Sequence, residues 1–455
     1  MKSLRTRLDD SRNDAGLTLI EVVVALMLLG IVAVGVGYSL ASILKLTQDA
    51  RSREVAIGLA AEVIDDSRSI ENVFDVGVTT FPVRVVGGDT FTMVRTTQWV
   101  TSANVDAQCG AAGGVSAGGS FEFKRVNVEV SWEGMRGQPV RSDTLIAPNE
   151  RINEENKGTI LVSIQLESGA GAENLVVSAV PNPTNPNGAV AINVPILPTD
   201  EEGCTYILKV VPGNYIVSVS KSGWIDAEQF TTPKRDVSVA KDASSTAGFQ
   251  FDQASTYKLA YAGAAATAVK PTNNTVSFTN TYGEFPILNP STGGTALHPY
   301  KSGYTAIAGN PDQPAAPGNL GCLAPDPANW PTRAADGAIG ARVASASAVP
   351  GAVVTAPIAM GTVAVSATTG DWLTAVSQKK VSSGPDDPGC ETVTTLTFPK
   401  TTASSTIIAL PYGSWIIYKG NSSGNLGSQL NPVKQSPFDT VNGKIITLDP
   451  RTVVI

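Results

Sequence analysis

The chain holds one histidine, His298, and that bounds the chemistry it can perform. A zinc centre with two or three imidazole ligands is excluded. A Ser-His-Asp or Cys-His nucleophilic site would have to be built on His298. That residue stands in Leu297-His298-Pro299-Tyr300, among turn residues, and is expected in a loop or at the surface. The four cysteines, Cys109, Cys204, Cys322 and Cys390, form an even set without a Cys-x-x-Cys pair. Disulfides in an oxidising compartment fit that usage better than a metal. Three pairings are open, and neighbours in chain order would give Cys109–Cys204 and Cys322–Cys390. Glu201-Glu202 and Asp386-Asp387 are acidic pairs in Pro/Gly-rich loops. Weak calcium binding is one reading of them, and solvated turns are the simpler one. No phosphate-cradling Gly-rich loop occurs. No metal, no cofactor and no enzymatic site are therefore expected.

The remaining chemistry is chemistry done to the chain. Val22 to Leu44 contains no charged residue and no proline. As a helix it would extend about 35 Å, enough to cross a bilayer. A secretory signal places its small-residue cleavage site after the apolar run. Here the small pair Ala15-Gly16 stands before it, behind a polar leader with Lys2, Arg5, Arg7 and Arg12. Cutting after Gly16 would leave Leu17 with a free α-amino group and keep the apolar helix. Glu21 opens the apolar run. A carboxylate at membrane depth costs a few kcal/mol and calls for a partner, which such an amine would supply.

Asp14-Ala15-Gly16-Leu17-Thr18-Leu19-Ile20-Glu21 followed by Val22-Val23-Val24-Ala25-Leu26 resembles the processing signal of type IV prepilins and type II secretion pseudopilins. The resemblance implies that a prepilin peptidase cuts after Gly16 and that Leu17 is N-methylated. It implies that Glu21 assists assembly by pairing with a neighbouring subunit's N-terminus. Other pilin subunits, an inner-membrane assembly platform and membrane lipid are the implied partners. Leu17 replaces the family's commoner Phe, and Tyr38 stands where a helix proline is frequent. Basic residues flank both ends of the span, with Lys45, Arg51 and Arg53 behind it, so a cytoplasmic leader rests on the resemblance alone. It also implies a single-pass protein of the bacterial cytoplasmic membrane that moves to a pilus or the cell surface.

The elements that carry this motif follow from pattern. Val55, Leu59, Val63 and Ile70 recur at helical spacing, so the helix is expected to run to about Ile70. The 455-residue chain as a whole has 43 glycines and 29 prolines, 16% charged and 6% aromatic residues. That composition suits many short strands. Net charge is −7, so no nucleic acid is expected. Phe81–Val85 and Phe91–Thr96 around Gly87-Gly88-Asp89 read as a hairpin. Phe121–Trp132 alternates over its whole length and reads as a strand, while Cys109–Gly119 reads as a mobile loop. The fold class is α+β: a long N-terminal membrane-spanning helix with a small antiparallel pilin-like sheet, then two or more all-β immunoglobulin/transthyretin-like sandwiches. The expected divisions are leader 1–16, helix and small head 17–148, linker 149–157, a first sandwich 158–255, and a further sandwich region 256–455 with a Pro-rich loop 310–331.

Val211-Pro212-Gly213-Asn214-Tyr215-Ile216-Val217 resembles the Pro-Gly-x-Tyr strand of transthyretin-like domains, which include carboxypeptidase regulatory-like modules and adhesin B-type repeats. Such adhesin domains often carry a Lys–Asn isopeptide bond. Lys157 is the candidate donor, with no matching Asn. Leu410-Pro411-Tyr412-Gly413-Ser414-Trp415 after Gly389-Cys390 reads as a degenerate echo of Gly203-Cys204 and Tyr215, at a different spacing. Tyr215 and Trp224 are expected in a core rather than in a binding patch. Asn273-Asn274-Thr275 and Asn421-Ser422-Ser423 match a glycosylation pattern of little weight behind a bacterial leader. Asp449–Ile455 shows no sorting signal, so the N-terminal helix is the expected anchor. A large minor pilin or pseudopilin, with β domains presented to an unknown surface ligand for adhesion or filament initiation, is the expected function. The alternative is a single-helix membrane-tethered surface-binding protein that does not polymerise.

Overall fold

Leu19–Ser69 forms one α-helix of 51 residues in the computed structural model. The structure describes residues 18–101, 106–107, 121–148, 154–311, 322–384 and 386–452. Gly16, Leu17, Cys109, the loop 109–119 and most of the 149–157 linker lie outside the described residues. The helix has two characters. Its first half, from Leu19 to Leu46, is exposed along every apolar side chain and is long and apolar enough to cross a membrane. Its second half buries Ser52, Ala56, Leu59, Ala60, Val63, Ile64 and Ser67. That spacing of three and four residues is one helical stripe, and small residues in it let the backbone approach a sheet.

The sheet under this stripe is antiparallel. Thr79–Thr80, Asp89–Thr101, Phe121–Trp132 and Val140–Ile146 pair in that order, and Arg84–Val86 adds to Asp89–Thr101. The hairpin ladder begins at Arg84 rather than Phe81: Phe81 donates its amide to the Met93 carbonyl at 3.0 Å, and the paired run resumes only at Arg84 opposite Phe91. Val126, Val128, Val130 and Trp132 face the helix, as a period of two requires, and pack with Phe91, Met93 and Val140. Arg95 is buried here, donating to Ser67 Oγ at 3.0 Å and to the Gly77 carbonyl at 2.8 Å. This helix and sheet form one compact unit.

The remaining described strands form a second unit with three hydrophobic cores, each between two sheets. In the first sandwich Lys234–Val239, Gly213–Val219 and Val177–Pro181 face Trp224–Asp226, Ser244–Gln253, Gly158–Gln165 and Cys204–Val210. In the second, Thr295–Leu297, Ser255–Tyr261 and Val353–Ile358 face Gly283–Leu288, Thr275–Asn280 and Thr305–Ala308. In the third, Ser405–Leu410, Gly361–Ser366 and Val433–Lys434 face a sheet centred on Gly413–Gly420.

The sandwiches hand over with almost no linker. Only Ala254 separates Ser244–Gln253 from Ser255–Tyr261, and only Ala359-Met360 separates Val353–Ile358 from Gly361–Ser366. Ser244–Gln253 runs parallel to Gly158–Gln165, and Val353–Ile358 parallel to Ser255–Tyr261. A parallel pair needs a long crossover, and here the rest of each sandwich supplies it. The Pro-rich stretch differs from a linker where it is described. Ala324, Asp326 and Trp330 are buried, and Trp330 Nε1 donates to the Ala324 carbonyl at 2.8 Å.

Candidate functional site

Thr18 caps the long helix in an extended conformation, and its carbonyl accepts the amide hydrogens of Glu21 and Val22. Thr18 Oγ1 donates to Glu21 Oε2 at 3.4 Å. The exposed Glu21 carboxylate thus turns back along the first helical turn, toward the chain's N-terminal side. Unpaired amide hydrogens give that end a partial positive charge, which favours a carboxylate. Gly16 and Leu17 directly precede this turn in sequence.

The structure places His298 in a loop, as expected, but not at the surface. It follows the strand Thr295–Leu297 in a connecting segment, yet it is fully buried between the first and second sandwiches. Its Nδ1 lies 3.2 Å from the Ile225 carbonyl, and its Nε2 has no partner. Burial holds the imidazole below its ordinary pKa, so it is a neutral packing residue. Around it Gln229 accepts from the His298 amide at 2.9 Å and donates to Tyr304 Oη at 2.9 Å. Tyr300 Oη donates to the Ala227 carbonyl at 2.8 Å. Sequence reading missed this joint because its partners are about seventy residues apart and none carries a motif.

The acidic pairs are not solvated turns throughout. Asp387 is buried, accepting from Ser414 Oγ at 2.6 Å and from the Gly389 amide at 2.8 Å. Burial raises its pKa. Asp386 instead meets Arg451 at 3.2 Å, and Arg451 also grips Asp449 at 2.7 Å. The two carboxylates diverge and do not share a cation. Glu201 and Glu202 lie in a turn that Asp200 closes by accepting the amides of Glu202 and Cys204. Among the described residues no three His, Cys, Asp or Glu side chains gather to hold a metal.

Cys322 and Cys390 are joined in a disulfide and are buried together with Ala324. Cys204 is a half-cystine, and Cys109 lies outside the described residues. Tyr215 is fully buried in the first core, and Trp224 packs at its margin under Lys221, whose Nζ lies 4.1 Å from the ring centroid. Lys157 forms an ion pair with Glu154 at 3.0 Å. A cavity of about 220 Å³ opens between the second and third sandwiches, beside the disulfide. Its lining includes Asn274 and Asp387, which no sequence pattern drew together.

Residues 11–37 match the family model described as the prokaryotic N-terminal methylation motif. The chain carries a prepilin-type N-terminus. This motif spans the last six residues of the leader, the pair Gly16-Leu17, Glu21 and the exposed apolar helix as far as Gly37. Motif and helix together give the chain a prepilin-type N-terminus that runs into a helix long and apolar enough to cross a membrane. A search of curated proteins found no match. Among solved structures, the TIE protein of Bacillus anthracis is 11% identical over 79% of this chain and 72% of its own, with a TM-score of 0.18. A streptococcal ancillary pilin is 9% identical over 59% and 80%, with a TM-score of 0.19. The major pilin subunit of Bacillus cereus is 9% identical over 62% and 96%, with a TM-score of 0.17. Superposition at that level leaves the functional reading to the prepilin-type N-terminus.

Proposed function

We propose that this chain is a large minor subunit of a type IV pilus or related secretion pseudopilus. Its β sandwiches are displayed for adhesion or for filament initiation, and it performs no enzymatic reaction. The observation that carries this reading is the methylation motif at 11–37, continued by a helix that is apolar and exposed in front and head-bearing behind. A prepilin peptidase would cut after Gly16 and Leu17 would be N-methylated, with the leader on the cytoplasmic side. The exposed half of the helix would sit in lipid, then among the helices of neighbouring subunits. Glu21 would meet a neighbouring α-amine, a reading supported by its position on the first helical turn, where it accepts from Thr18 Oγ1. Three sandwiches in series exceed what a densely packed shaft subunit needs, which supports a low-copy or tip position. Mass spectrometry of the mature N-terminus tests the proposal. Methylated Leu17 is expected, and an intact Met1 or a cut behind the apolar run would exclude it.

A further inference from the structure

A cavity of about 270 Å³ lies where the long helix leaves its apolar half and meets the small sheet. Lys45, Gln48, Asp49 and Ser52 line it from the helix, one face at spacings of three and four. That face continues the buried stripe Ser52, Ala56, Leu59 and Val63 toward the N-terminus. Asp89, at the hairpin tip, accepts from Ser52 Oγ and from Gln48 Nε2, the latter at 3.5 Å. The turn after Trp132 supplies Glu133 and Arg136, and the Arg136 amide donates to Asp49 Oδ1 at 3.4 Å. These bonds fix the walls and leave charged ends open. The side chains of Lys45, Glu133 and Arg136 make no ion pair among the described residues.

The helix sets the depth of this cavity. It carries no charge between Val22 and Leu44. Gln48 is four residues further on, about 6 Å along the axis. The polar layer of a bilayer is about 5–8 Å deep on each side. A helix that crosses with Val22–Leu44 therefore holds Lys45, Asp49 and the cavity among phospholipid headgroups.

The charges of the lining select the ligand. Two cations and three carboxylates share it, and no ion pair joins them. A ligand that satisfies both carries an anionic acceptor and a cationic donor a few atoms apart. A phosphate suits Lys45 and Arg136. A primary ammonium, with three N–H donors, suits Glu133 and the open lone pairs of Asp49 and Asp89. A choline ammonium has no N–H to give. A glycerol headgroup brings only negative charge to a lining where carboxylates already outnumber cations. Among the described residues no three carboxylates gather to hold a metal. A basic side chain from another subunit would leave Lys45 and Arg136 unmatched.

We propose that this cavity binds the headgroup of phosphatidylethanolamine, with the phosphate on Lys45 and Arg136 and the ammonium on Glu133, Asp49 and Asp89. The proposal rests on the reading that the apolar half of the helix lies in lipid, and not on filament assembly.

The test reconstitutes the full chain into vesicles with equal parts of phosphatidylethanolamine, phosphatidylcholine and phosphatidylglycerol of identical acyl chains. Flotation reads insertion, and native mass spectrometry after detergent extraction reads which lipid stays bound. Phosphatidylethanolamine is expected to be retained about tenfold over the other two, a preference matching one charge-assisted hydrogen bond. Arg136→Gln and Glu133→Gln alter exposed side chains, and each is expected to abolish the preference with insertion unchanged. Free phosphoethanolamine, offered in detergent without lipid, is expected to be retained less than the lipid, and equal retention would overturn the lipid source. A chain that does not float overturns the membrane reading and this site with it. A chain that floats but retains the three lipids equally, prefers phosphatidylglycerol, or keeps its preference in either variant overturns the headgroup site alone.

Discussion

Tyr215 and Trp415 occupy the same place in two different sandwiches. Each stands two residues after a glycine that opens a strand, Gly213 or Gly413. Each ring donates to the carbonyl four residues back: Tyr215 Oη to Val211 at 2.9 Å, and Trp415 Nε1 to Pro411 at 2.9 Å. Both glycines take positive φ, 151° and 123°. A Cβ at Gly213 would lie 2.2 Å from the Ala189 amide nitrogen, so only glycine fits there. The echo between these segments holds at the turn. At the cysteines it is partial: Gly203 and Gly389 both take positive φ, 76° and 75°, and both cysteines are disulfide-bonded, but Cys204 begins a strand and Cys390 does not.

Removing the polar end of either ring tests the turn. Tyr215→Phe and Trp415→Phe each strand a carbonyl acceptor, and the first also frees the Val190 amide. Each is expected to cost about 1–3 kcal/mol in denaturant unfolding. A loss below a few tenths of a kcal/mol would show that the bonds do not hold these turns.

The disulfide gives a second prediction. Cys322 and Cys390 are 68 residues apart, so their bond removes substantial loop entropy from the unfolded chain. On a chain-entropy basis it contributes about 4 kcal/mol. Reduction, or the Cys322→Ser/Cys390→Ser pair, is expected to lower the unfolding midpoint of the third sandwich. An unchanged midpoint would contradict this.

Two buried groups give opposite pH dependence. His298 is held below its ordinary pKa by burial, so the unfolded state binds more protons below about 6.5. Its contribution is present above that pH and is lost as pH falls through the folded pKa. Asp439 is pushed up to about 6 by burial, although the Asp449 and Ser436 amides donate to it. Its native state binds more protons between about 4 and 6, so its contribution is lost as pH rises through 6. Melting curves from pH 4 to 8 should flatten at the acid side in His298→Phe and show less loss toward pH 6 in Asp439→Asn. Parallel curves for wild type and both variants would refute the assignment.

Glu21 gives the functional prediction. Glu21→Ala removes a charge from the apolar end of the helix, so membrane insertion should persist or improve. Filament incorporation, read by immunoblot of sheared filaments, is expected to fall about tenfold or more, since a charge pair in lipid is worth a few kcal/mol. Equal incorporation would remove Glu21 from assembly.

Periodicity is local, and what it governs could be read directly. The helix from Leu19 to Ser69 and the strand Phe121–Trp132 follow from spacings within a few residues of each other. The N-terminal signal is equally local, since it is contained within residues 11–37. The sequence by itself therefore determined the anchor, the processing motif and the β character of the head. The tertiary structure decided what depends on residues brought from far apart. It buried His298 against Ile225, 73 positions away, and gave Asp386 and Asp387 different partners. It also set Asn274 beside Asp387 in one cavity. Burial and pairing of polar groups depend on which strands stack, and stacking is fixed by the summed packing of three cores rather than by any short pattern.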